Sequence, residues 1–213
     1  MSIKFYYASG SPFSWNVWLV LEHKQLPYEI NLLSLQNGEL KKPEYLAINP
    51  HGKVPALTDG DFTIWETTAI VEYLEESYPE YPIFPANPKE RAIVRRLSAE
   101  AYSYLYPVLR RLMELTLFRL DGDGDPSTIA ATLKDLSREL AYFEDALSGD
   151  YLTGTISAAD FTLFPLLALI NRIHEKRPHL VGGDFIPPKL SGFMKQIEQL
   201  PYFEKTTPPH WKG

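Results

Sequence analysis

The sequence predicts an α/β protein in two parts: a small mixed sheet with helices on its faces, then an all-helical remainder. Three observations carry this. Short strand-like runs alternate with helical periodicity over roughly the first 80 residues. The stretch P-E-Y-P-I-F-P-A-N-P at 79–88 carries four prolines in ten residues, which stiffens the chain and interrupts both helix and ladder. Beyond it, apolar spacing is helical almost to the tail.

Ile3–Tyr7 is strand-like through its aromatic residues. Phe13–Gln25 follows as a helix, with Val17, Leu19, Val20 and Leu21 apolar, and Tyr28–Leu33 reads as a second strand. The span between the strands suits a crossover, so parallel pairing is expected. Asn37–Asn49 is polar and irregular, with room for one or two helical turns. Val54–Thr58 and Phe62–Trp65 flank Asp59-Gly60-Asp61, a hairpin signal. Glu66–Tyr78 reads as a helix that stops before Pro79. The predicted order is β-α-β, an irregular segment, then β-β-α.

In the second part Lys89–Leu120 reads as one long helical stretch, broken by Asp121-Gly-Asp-Gly-Asp-Pro126. Ser127–Leu147 is a further helix. Ser157–Lys176 opens on S-A-A-D, a capping box in which Ser157 bonds the Asp160 N–H and Asp160 returns to the Ser157 N–H. Pro188–Gln199 is a last short helix. The aspartate-rich break fails as a calcium loop, because its sixth position is Pro126 and its twelfth Thr132; it reads as a solvated turn.

Composition narrows the chemistry. The 213 residues are 45 % hydrophobic, enough for a core. Net charge is −6 and the pI about 5.4, with no basic cluster longer than a pair, which argues against nucleic acid. No window reaches the length of a membrane span, and no leader pattern is read, so a cytoplasmic location is expected. There is no cysteine, which excludes disulfides, thiolate metal sites and a cysteine nucleophile. The five histidines lack helical i, i+4 pairing, so no metal is expected.

Residues 9–15, S-G-S-P-F-S-W, lie where a strand hands over to a helix. Free backbone N–H groups converge there and favour an anion. From this pattern alone Ser11 reads as an N-cap. Glu66-Thr67 stands at another helix start, where acidic and hydroxyl residues are also ordinary.

Taken in order, G-S-P-F-S-W-N-V, N-P-H-G-K-V-P-A-L at 49–57, W-E-T-T-A-I at 65–70 and the late T-I-S-A-A-D resemble the cytosolic glutathione transferases, over essentially the full chain. The resemblance is to the serine-type groups (theta, delta, zeta and tau-like). It implies a thioredoxin-like glutathione-binding domain at 1–79, a linker at 80–88, an all-helical domain at 89–213, and a homodimer. It implies that Ser11 donates a hydrogen bond to the glutathione sulfur and stabilises its thiolate. Phe13 lies in the same turn. Val54, before an expected cis Pro55, would pair with the tripeptide backbone. Lys53 and His51 would approach the glycyl carboxylate, while Glu66 and Thr67 would hold the γ-glutamyl end. Ser9, Ser14, Tyr6 and Tyr7 remain alternatives for the hydroxyl. The second substrate, a hydrophobic electrophile, would meet Tyr102, Tyr106, Leu109 and Met113, with Trp211 closing over it. Ser157 and Asp160 would be structural. No cofactor is implied, since glutathione is a co-substrate.

Three other functions stay open at this level. One is a glutathione-dependent isomerase acting on a maleyl-type diacid; Pro12 and Phe13 depart from the S-S-C-S motif of that branch. Another is peroxide reduction with two glutathiones, and the third is a non-catalytic ligand-binding role.

Overall fold

A computed structural model describes residues 3–211. The chain forms two compact units: residues 84–199, and residues 3–83 together with 200–211. The tail therefore joins the sheet-containing unit and not the helical one. Its anchors are side chains that the periodicity of residues 89–213 does not reveal. Trp15 Nε1 donates to Thr206 Oγ1 at 3.1 Å, His23 Nδ1 lies 2.8 Å from the Tyr202 hydroxyl, and Lys205 pairs with Glu22 at 2.6 Å.

The first unit holds strands β1 (Ile3–Tyr7), β2 (Tyr28–Leu32), β3 (Ala56–Asp59) and β4 (Phe62–Trp65), with helices α1 (Pro12–His23), α2 (Pro43–Leu46) and α3 (Thr67–Ser77). The sheet order is β2-β1-β3-β4; β1 pairs parallel with β2, and the other pairs are antiparallel. The α1 crossover is what permits the parallel pair. The β3–β4 hairpin closes through Gly60, whose φ of 61° suits the first central position of a two-residue loop.

Alternation along β1 separates two cores. Ile3, Phe5 and Tyr7 are buried on one face, where Trp18 of α1 meets Phe5 and Tyr7 with ring centroids 6.4 and 4.9 Å away. Tyr6 points to the other face and joins Leu40, Tyr45, Val54, Ala56 and Trp65 beneath the irregular segment.

A buried ion pair locks α1 to α3. Lys24, the C-cap of α1, has a side chain with no exposed surface, and its Nζ lies 2.8 Å from Glu75 Oε2 of α3. The ammonium also donates to the Tyr78 carbonyl at 2.8 Å and the Glu80 carbonyl at 3.3 Å, while Glu75 accepts the Ile83 N–H at 3.1 Å. The start of the proline-rich segment is thus buckled onto the helix pair.

The second unit contains α4 (Pro88–Glu100), α5 (Tyr106–Leu115), α6 (Pro126–Ala146), α7 (Ala158–Lys176) and α8 (Pro188–Glu198); the short α9 (Phe203–Thr206) lies in the first unit. The expected single helix over Lys89–Leu120 is two helices joined by a π-helical turn at Ala101–Leu105, and it ends at Leu115. Two features of the sequence explain the turn. Pro107 lacks an N–H, and its ring crowds the carbonyl four residues back. Leu97, Ala101, Leu105, Leu109 and Met113 are all buried at spacings of four. In an ideal helix that spacing drifts about 40° per step, and a wide turn recovers the register.

The aspartate-rich break is tied down and not merely solvated. Asp123 bridges His179 Nε2 at 2.7 Å and Arg177 Nε at 2.9 Å, which hold its carboxyl below the usual range, and the Gly124 N–H caps α5 at the Leu115 carbonyl. At the start of α7 the capping box forms. The fully buried Asp160 carboxylate accepts the Ser157 N–H at 2.8 Å, the Ser157 hydroxyl at 2.7 Å and the Leu152 N–H at 2.8 Å. Burial nevertheless outweighs these donors and raises its carboxyl to about 6. Among the described residues no helix is long and apolar enough to cross a membrane.

Two stability measurements follow. Lys24→Met strands a buried carboxylate and should cost about 3–5 kcal/mol in urea unfolding, whereas adding Glu75→Leu should recover most of it; a Lys24→Met variant as stable as wild type would contradict the buckle. For Asp160, the native chain holds the proton up to about 6 and the unfolded chain releases it near 3.8. The native state then binds more protons in that window, so the carboxyl's contribution falls as pH rises through it. The stability gap between wild type and Asp160→Ala should accordingly narrow from pH 4 to pH 6; a widening gap would mean the carboxylate is held charged.

Candidate active site

Sheet direction gathers the motifs. The C-terminal end of β1 lies against the N-terminal end of β3, since Tyr6 pairs with Ala56, and Ala56 pairs with Trp65 at the C-terminal end of β4. The Ser9–Ser14 turn, Val54-Pro55 and Glu66-Thr67 therefore all emerge at one end of the sheet. The segment after β2 leaves from the same end, because Tyr7 pairs with Leu32.

Ser11 is placed by a tight turn. The Ser11 N–H reaches the Ala8 carbonyl at 3.2 Å, and Gly10 has a φ of 82°, the signature of a type II turn with glycine third. Ser11 is then the N-cap of α1: its Oγ accepts the Ser14 N–H at 3.3 Å, with Pro12 at the first helical position. A capping oxygen acts as an acceptor, so the hydroxyl proton stays available to donate. Capping and donation to an anion are compatible in one side chain. Phe13 is half-buried in the first turn of α1.

The other hydroxyls are placed differently. Ser14 is fully buried, and its Oγ has no hydrogen-bond partner among the described residues. Ser9 Oγ meets His210 Nδ1 at 2.6 Å. Tyr7 is buried against Trp18 and Phe5, with its hydroxyl pushed to higher pKa by burial. Tyr6 packs on Tyr45 across the other face.

Residues 49–55 form an organised loop. The Val54–Pro55 peptide is cis, Pro55 is buried and Val54 half-buried. Buried Asn49 builds the loop: its Nδ2 donates to the Lys53 carbonyl at 2.7 Å and its Oδ1 accepts the His51 N–H at 3.0 Å. The Tyr45 hydroxyl donates to the same Lys53 carbonyl at 2.6 Å. With their backbones held, the side chains of His51 and Lys53 are exposed. Lys41 joins them, its Nζ lying 3.1 Å from where a Cβ on Gly52 would stand. Asn49, Tyr45 and Lys41 had no role in the sequence reading; the N-P dipeptide was the one local hint of Asn49 as a turn builder.

Glu66 caps α3 with φ 70° and ψ 118°, a left-handed backbone in a non-glycine residue, and makes no side-chain cap bond. Such a conformation costs roughly 1–3 kcal/mol and persists where function or surroundings demand it. Its carboxylate is exposed, and Thr67 beside it is buried at the first position of α3.

The four residues expected to line a second-substrate surface separate. Tyr102 and Tyr106 are half-buried at the π turn. Leu109 has no exposed surface and Met113 is buried, so both belong to the core of the helical unit. Tyr102 lies within the wide turn at Ala101–Leu105 and the other three follow it, so the turn alters the simple helical spacing that put all four on one side. Trp211 stands edge-on to Trp15, with centroids 5.3 Å apart, in the first unit.

A thioredoxin-like four-stranded sheet presents a serine cap, a cis-proline loop and a positive-φ acidic cap at one end. Residues 10–77 match the family model for the glutathione S-transferase N-terminal domain. The chain is 32 % identical to a zeta-class glutathione S-transferase of Euphorbia esula, over 97 % of this chain and 90 % of that one. The crystal structure of a glutathione S-transferase from the Antarctic clam Laternula elliptica superposes with a TM-score of 0.83 at 31 % identity, covering 100 % of this chain and 94 % of that one. A theta-class enzyme from Xanthomonas axonopodis pv. citri, solved with glutathione bound, gives 0.82 at 26 % identity, covering 96 % of each. The chain belongs to the glutathione S-transferase family.

Gly10→Ala tests the turn. A Cβ there would need the left-handed region and would stand 2.7 Å from His210 Cε1. The variant should lose about 1–3 kcal/mol of stability by thermal or urea unfolding; an unchanged midpoint would show that the turn is not held as described.

Proposed function

We propose that this chain transfers glutathione to a hydrophobic electrophile, with Ser11 as the residue that stabilises the thiolate. The observation that carries the reading is the convergence of three motifs at one end of the sheet, with Ser11 capping α1 through its oxygen while its proton is free to donate.

A free thiol has a pKa near 8.5, so few are ionised at neutral pH; lowering it by about two units requires roughly 2.7 kcal/mol in favour of the anion. The Ser11 hydroxyl and the positive end of α1 each supply part of this. The thiol proton leaves to solvent, and the sulfur lone pair forms the S–C bond as the leaving group departs or the electrophile's π bond opens. Val54 pairs with the tripeptide backbone. Lys53 and Lys41 provide positive charge for the glycyl carboxylate, and His51 lies beside them on the same loop. Thr67 and the N-terminus of α3 take the γ-glutamyl carboxylate, while Glu66 receives its ammonium. Phe13 packs against the bound tripeptide.

Residues 1–79 are the glutathione-binding domain in this reading, completed by the returning tail, and the working form is a cytoplasmic homodimer. The zeta-class relative keeps a maleyl-diacid isomerase as the second reading, to be assayed alongside.

Ser11→Ala should raise the apparent pKa of bound glutathione by about 1–2 units and lower kcat/KM roughly 10- to 100-fold, the loss of one hydrogen bond to an anion. Glutathione affinity measured by calorimetry should change little. An unaltered pH–rate profile would move the thiolate-stabilising role to another group.

A further inference from the structure

The turn that sets Ser11 is gripped from outside by the returning tail. Ser9 and Gly10 are its two central residues, and His210 engages both. Its Nδ1 lies 2.6 Å from Ser9 Oγ, and its ring edge covers Gly10 so closely that a Cβ there would stand 2.7 Å from Cε1. Neighbouring bonds settle the tautomer. Trp211 Nε1 can only donate, and it faces His210 Nε2 at 2.9 Å. Nε2 is therefore the acceptor, Nδ1 carries the proton, and Ser9 Oγ receives it. The tail is itself anchored to α1, the helix Ser11 caps, through the Trp15–Thr206 bond and the edge-on packing of Trp211 against Trp15.

We propose that His210 is a positioning residue for the Ser11 hydroxyl: its neutral imidazole clamps the Ser9-Gly10 turn, and so fixes where the hydroxyl points. His210 acts on the thiolate through Ser11 and not by contact with it. This role rests on the reading of Ser11 as the thiolate-stabilising group.

The test uses full-length protein, glutathione and a chlorodinitrobenzene electrophile. Ultraviolet absorption of the bound thiolate is followed as pH is varied, together with kcat, glutathione affinity and Tm. His210→Ala should raise the apparent pKa of bound glutathione by about half a unit to one unit and lower kcat about 3- to 10-fold, with affinity and Tm nearly unchanged. His210→Asn, which keeps a side-chain N–H toward Ser9, should restore most of both. In a Ser11→Ala background His210→Ala should add no further effect. An unchanged thiol pKa in His210→Ala, a loss that follows Tm and is not rescued by asparagine, or a gain in turnover would overturn the clamp. If Ser11→Ala shifts the thiol pKa and His210→Ala does not, the clamp alone is wrong; if Ser11→Ala shifts nothing, both assignments are.

Discussion

The Lys24–Glu75 pair holds together the two helices whose opposite ends carry the candidate site. Lys24 closes α1, which Ser11 opens; Glu75 lies near the end of α3, which Glu66 and Thr67 open. An ion pair taken wholly out of water is costly unless its remaining donors and acceptors are satisfied. Here the ammonium finds the Tyr78 and Glu80 carbonyls, and the carboxylate finds the Ile83 N–H. The pair fixes the angle between two helix N-termini and ties the proline-rich segment to them. In the proposed function both helix starts act on one ligand, which calls for that rigidity, because the field of a helix end fades within its first turn.

At the other end of α1 the same economy of atoms recurs. One serine oxygen closes a helix by accepting, and its proton stays available to donate, so a residue that looks ordinary by local pattern also suits the thiolate-stabilising role proposed for it. The cost of order is met around it: a positive-φ glycine, a proline at the first helical position and a tail folded over the turn. Near Glu66 the order is held as backbone strain, at a residue with no capping bond of its own to justify it.

The helical unit has its own organising centres. Asp160 gathers three donors at the start of α7, and Asp123 ties the 121–125 segment to Arg177 and His179. Between α4 and α5 the buried spacing of four is kept by a π turn, which leaves Tyr102 and Tyr106 half-exposed while Leu109 enters the core.

The β-α-β and β-β-α order of the first unit, the parallel β1–β2 pair, the hairpin, the cap of α7 and the family-bearing motifs were legible in the sequence. Each rests on local chemistry: alternation, a glycine in a two-residue loop, a serine three residues before an aspartate, a proline after a turn. What the tertiary structure alone decided depends on partners far apart in the chain. The tail's place in the first unit, the Lys24–Glu75 buckle and the grip of His210 on Ser9 join residues about 50 to 200 positions apart, and no local period encodes them. The π turn lies between these cases. Its period of four and its proline stand in the sequence, but only the packing of both helices on one core makes that period count.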